Sequence, residues 1–263
     1  MTHERDPKRA SRTADDPEPR RAGGPPGAGP AAGDLLRATF KRFFWNSYDH
    51  IGLLVLANLL WVALSIPVVT APAATAGLFH VARRIANQED VSVRDFLAGF
   101  RLHFFPALKI GAFDAVTGVL LWINFDFYAH LGGRAALVGA LLAAAMIWIA
   151  AFLVFMHAHV FALVVEGERS LRVTLRRAAL LTLDNPAFTF GIMLQALSVA
   201  TLCILTGIGL FLVLGSLAAV LLATGHRELL KKYSPESSDA LEDDEETRGF
   251  RDLIRPWESA RPR

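Results

Sequence analysis

Three long stretches of the chain contain no Asp, Glu, Lys or Arg: Asn185–His226 (42 residues), His50–Ala82 (33 residues) and Ala135–Val165 (31 residues). A helix rises about 1.5 Å per residue, so the longest run would reach ~63 Å, twice a ~30 Å hydrocarbon core. It must fold back. The turn-like sequence near its centre, Thr206-Gly207-Ile208-Gly209, divides it into spans at 186–205 and 208–225. In the second run Pro67 and Pro72 interrupt any continuous helix. The pattern there predicts a span at 51–68, a turn, and a short segment at 72–86 that either crosses or re-enters. The third run predicts a span at 135–165. A fourth apolar segment, 106–128, is long enough to cross but carries Asp114 and Asp126. The expected fold class is therefore all-α: a polytopic membrane protein with about six transmembrane helices.

Polar sequence flanks this block. Residues 1–33 are rich in Pro, Gly, Ala and Arg, and residues 231–263 are strongly charged, including Glu242-Asp243-Asp244-Glu245-Glu246. Both read as disordered tails around a helical membrane domain at 34–230. The leader is not read as a signal peptide, since no apolar region follows its basic residues before residue 51. Three amphipathic stretches adjoin the apolar spans. In 34–48, Leu36, Phe40, Phe43 and Phe44 share a face, with Arg37, Lys41 and Arg42 elsewhere. In 92–105, Ser92 and Asp95 have capping-box spacing, and Phe96, Phe100 and Phe104 recur every four residues. In 170–185, Leu171, Leu175 and Ala178 oppose Arg172, Arg176 and Arg177. Such helices either lie in the headgroup region or dock a partner.

Charge sets the orientation. The chain has 27 Lys+Arg against 25 Asp+Glu, and their sum is uninformative. With six spans and both termini inside, every basic residue except Arg134 falls on the cytoplasmic side, including Arg83 and Arg84. The resulting expectation is a bacterial inner-membrane protein with both ends in the cytoplasm. Basic residues border the membrane and do not form the aromatic-interleaved stripe of a nucleic-acid binder.

The stretch Asn58-Leu-Leu-Trp61-Val-Ala-Leu-Ser-Ile-Pro67-Val-Val-Thr70 continues Ala-Pro72-Ala-Ala-Thr-Ala-Gly-Leu-Phe79. Arg83-Arg84 and Asp95-Phe96-Leu-Ala-Gly-Phe100-Arg101 follow. This pattern, with Asn185-Pro186 later, resembles the YesL-like family of bacterial integral membrane proteins over about residues 35–225. The family often has Gly-Pro-Ala where this chain has Ala71-Pro72-Ala73. The resemblance implies a multi-span plasma-membrane protein of unassigned biochemical function, associated with saccharide uptake. It carries over no catalytic residues.

Ionisable and amide side chains at membrane depth are functional candidates by default. Asn58, Asp114 and Gln195 each lie eight or nine residues into an inside-to-outside span, which places them at similar depth. They form a candidate midplane cluster, read either as interhelical hydrogen-bond glue or as the lining of a substrate path. His157 and His159 are two apart and point to opposite helix faces, so a shared metal is not expected. The single cysteine, Cys203, excludes an internal disulfide or a cysteine-based metal site. HExxH, Walker A, Gly-x-Ser-x-Gly and paired-carboxylate motifs are absent from the sequence. No metal, cofactor or enzymatic activity is therefore expected. One further expectation comes from 89–111 and 168–191, where each surface helix precedes a Pro-Ala-x-x-x-Gly span start. These suggest a parallel internal repeat.

The function expected is a non-enzymatic accessory to a solute-uptake or envelope system. It would sit in the lipid bilayer and assemble with a transporter subunit or with itself. The alternative is a small-solute transporter with a midplane polar site.

Overall fold

The computed structural model describes residues 31–168, 170–207, 209 and 212–233. Most of both tails, and the beginning of the 208–225 span, lie outside them. Among the described residues the fold is all-α. It runs α1 (Ala32–Asp49), α2 (Ile51–Ser65), α3 (Ala71–Ala86), α4 (Val93–Leu102), α5 (Phe104–Ala129), α6 (Ala136–Val165), α7 (Leu171–Asp184), α8 (Pro186–Leu205) and α9 (Leu214–Lys231).

Local sequence explains the breaks. Pro67 ends α2, and the next helix begins with Pro72 in its first turn, where a missing N–H costs nothing. Between them the Thr70 hydroxyl reaches Pro67 O at 2.7 Å and Leu64 O at 2.5 Å, closing the end of α2. The Trp61 indole N–H donates to Thr75 Oγ1 at 3.1 Å, tying α2 to α3. α4 opens with the expected capping box: the Ser92 N–H donates to Asp95 Oδ2 at 2.7 Å. Asn185-Pro186 separates α7 from α8, with Pro186 at the start of the second helix. The amphipathic α1 meets α2 at 87°. That geometry suits a surface helix turning into an apolar one.

Two helices form the interior. Ten of the 16 residues of α3 and ten of the 18 of α9 are buried. They pack together and against α1, α2, α6 and α8 in one apolar cluster that also contains Phe96 of α4. In contrast, α5 buries only Ala107 and Ile110 among its 26 residues. Apart from Gly139 and Ala143, the buried part of α6 is its end, Met156–Val165. There it packs on Ile110 and Ala178, flanked by Leu171 and Leu175. The expected apolar face of α7 is thus its packed face, and Arg172, Arg176 and Arg177 are exposed. Packing is concentrated where α3, α6 and α9 end. The α5–α6 hairpin projects from that base, exposing Val116, Val119, Trp122, Ile123, Ile147 and Trp148.

This packing bears on the span count. Among the described residues, three helices, α5, α6 and α8, are long and apolar enough to cross a membrane; a fourth crossing results if the bent α1–α2 pair counts as one. The sequence expectation of six is not confirmed. α2 and α3 have 15 and 16 residues, below the roughly 20 a crossing needs. The apolarity of α3 is instead used against other helices.

The two Pro-Ala-x-x-x-Gly starts share one physical feature. A Cβ on Gly111 would collide with Pro72, and one on Gly191 would collide with Leu36. Each glycine lets another segment approach the helix backbone. The prolines differ: Pro186 is the first residue of α8, whereas Pro106 is the third of α5.

Candidate functional site

The three candidate midplane residues are bound to three different elements. Asn58 is fully buried on α2, and its Oδ1 accepts from the Ser216 backbone N–H at 3.0 Å. Ser216 is the third residue of α9, so this N–H has no partner within its own helix. Asn58 therefore caps α9 from across the bundle. It also lies against Gly215, where a Cβ would come within 2.8 Å of Oδ1. Gln195 of α8 donates from Nε2 to Leu36 O of α1 at 3.3 Å. Asp114 of α5 faces His157 of α6, with Oδ2 3.0 Å from Nε2. These bonds do not join the three residues to one another.

The histidine of that last pair is oriented by its own helix. His157 Nδ1 lies 2.7 Å from Leu153 O, and a carbonyl only accepts, so Nδ1 carries a proton. Nε2 and Asp114 Oδ2 then share one further proton. Whichever atom holds it, the pair has no net charge, which lowers the cost of a carboxylate at membrane depth. The pair lies in a groove of about 320 Å³. Asp114, Thr117, Gly118 and Leu121 form one wall, and Ala150, Leu153, Val154 and His157 form the other.

A second polar region occupies the base. His159, on the opposite face of α6 from His157, is buried and lies 3.2 Å from Thr189 Oγ1 of α8 and 3.3 Å from His226 Nδ1 of α9. Two tautomer sets satisfy these contacts. Either the Thr189 O–H donates to His159 Nε2 and the His159 Nδ1–H donates to His226 Nδ1, or the His226 Nδ1–H donates to His159 Nδ1 and the His159 Nε2–H donates to Thr189 Oγ1. His226 Nε2 sits 3.3 Å from Glu166 Oε1, an electrostatic contact without hydrogen-bond alignment. Nearby, Arg83 donates to Val165 O at 2.6 Å, and Arg227 donates to Ala86 O. Each guanidinium thus meets the carbonyl end of a neighbouring helix, where the helix dipole favours a cation. Arg83, Asn87, Glu166, His226 and Arg227 are among the lining of a cavity of about 250 Å³ at this base.

The remaining sequence candidates form the rim. Arg84 is 2.6 Å from Asp95 Oδ1 and 3.1 Å from Glu89 Oε2, joining the end of α3 to the start of α4. Hydrogen bonds from the Ser92 backbone, with the Ser92 hydroxyl and Arg84 contributing less, hold the Asp95 carboxyl below the usual carboxylate range. Phe96 is fully buried, and Phe100 packs on Ala73, Ala76 and Ala107. Trp61, Pro67, Thr70 and Pro72 build the α2–α3 turn. Among the described residues, no group of three or more His, Cys, Asp or Glu side chains could hold a metal ion.

Sequence reasoning did not find the Thr189–His159–His226 chain. His159 on the face opposite His157 was the available signal. Its partners lie 30 and 67 residues away on other helices. No curated protein and no solved structure matches the chain. Residues 54–125, from within α2 to within α5, match the model of a family described as a protein of unknown function, DUF624.

Proposed function

We propose that this chain is a non-enzymatic protein of the bacterial cytoplasmic membrane that assists a solute-uptake system, with a saccharide permease subunit as its partner. α5, α6 and α8 hold it in the bilayer, α9 returns beside α8 so that Lys232 meets Asn185 at the start of α8, and both termini face the cytoplasm. The basic end presents α4 and α7, with Arg94, Arg101, Arg172 and Arg176 exposed. The observation that carries this reading is the separate engagement of Asn58, Asp114 and Gln195 with three different helices. Polar groups at depth that bind helices together leave recognition to the surface. The YesL-like resemblance of the α2–α3 hairpin supports the same role.

The test is purification of the full chain from native membranes in mild detergent, alongside an Arg172→Glu/Arg176→Glu variant. A permease subunit should recur with the wild type and fall ~10-fold with the variant, because reversing rim charges weakens encounter and register. A homo-oligomer recovered without any permease subunit contradicts the proposal. Solute flux through vesicles containing this chain alone also contradicts it and favours a transporter built on Asp114.

A further inference from the structure

Asp114 and His157 are paired, yet their side chains remain 35% and 29% exposed. Both belong to helices long and apolar enough to cross a membrane. Asp114 is the eleventh residue of α5, roughly 15 Å from its start at helical rise, and His157 lies eight residues before the end of α6. A polar pair open to hydrocarbon at that depth is costly even without net charge. A surface of complementary polarity would offset that cost.

We propose that the α5–α6 groove is the two-fold interface at which a second copy of this chain docks in the membrane. The pair is self-complementary, since it holds one acid and one base. Rotating a copy about a two-fold axis sets the two pair dipoles antiparallel, an electrostatic match, since both nitrogens of His157 are already bonded within one copy; it also sets each groove against itself, as an isologous interface requires. The groove walls fit a helix seam: residues at i, i+3, i+4 and i+7 on both α5 and α6 point into it. Gly118 provides a separate sign. Among the described residues, a Cβ built there meets nothing within 4 Å, so their packing gives no reason for glycine in mid-helix. Close approach of another helix does. The dimer requires that α5 and α6 cross the bilayer, and it is independent of the permease association.

The test uses the full chain in its own membranes, with Cys203→Ser removing the native thiol. Thr117→Cys, in the groove, should form a covalent homodimer with copper–phenanthroline. Val119→Cys, exposed on another face of α5 at similar depth, should remain monomeric. Gly118→Leu should raise the dimer dissociation constant ~10-fold or more without lowering the monomer's melting temperature. Asp114→Ala should weaken the dimer similarly. Three results overturn the proposal: no Thr117→Cys crosslink, a crosslink only to a different protein, or a dimer unaffected by Gly118→Leu.

Discussion

At the scale of single residues, the polar side chains inside this bundle act across helices. Asn58 closes the first turn of α9 from α2, and Arg83 and Arg227 close the ends of α6 and α3. Each satisfies a backbone group that its own helix leaves without a partner. Replacing Asn58 with Ala removes the cap from a buried N–H, at a cost of about 1–2 kcal/mol. The expected outcome is a melting temperature several degrees lower in detergent, read by tryptophan fluorescence. An unchanged melt would show that the Ser216 N–H needs no cap. The types of these residues were legible in the sequence, and so was the opposition of His157 and His159. Their partners were not, because pairing over 158 residues for Asn58 or 67 for His159 depends on how helices are laid side by side.

At the scale of elements, the ends of helices were easier to read than their surroundings. Prolines, capping residues and basic exits punctuate the chain, and the observed α3, α6 and α8 begin and end within a residue of the expected 72–86, 135–165 and 186–205 segments. The apolar pattern did not distinguish a helix facing lipid from one facing protein. α3 and α9 are apolar because they are interior, whereas α5 and α8 are apolar on exposed faces. Element α4 is set by its first turn. The Asp95 carboxyl is held low by its bonds to Ser92, so its contribution to stability is complete above the unfolded value near 4 and is lost as pH falls through the lower folded value. At pH 7, amides of residues 93–97 should therefore exchange more slowly in the wild type than in Asp95→Ala. The difference should shrink progressively as pH falls below about 4 toward the lower folded value. A difference that did not shrink at all below about pH 4 would mean that the carboxylate is not what holds the turn.

At the scale of the molecule, a densely packed base and a projecting apolar hairpin divide the labour. The base gathers α1, α3, α4, α6, α7 and α9 around buried polar contacts. The hairpin and α8 display aliphatic and aromatic side chains. The orientation implied by this division can be measured with single cysteines on the Cys203→Ser background. Gln88→Cys reports the α3–α4 connection at the basic end, and Gly132→Cys reports the α5–α6 turn. In intact cells a membrane-impermeant maleimide should label Gly132→Cys and leave Gln88→Cys unmodified until the membrane is permeabilised. Labelling of Gln88→Cys from outside, or failure to reach Gly132→Cys, would contradict a protein held in the membrane by α5, α6 and α8 with its basic end in the cytoplasm.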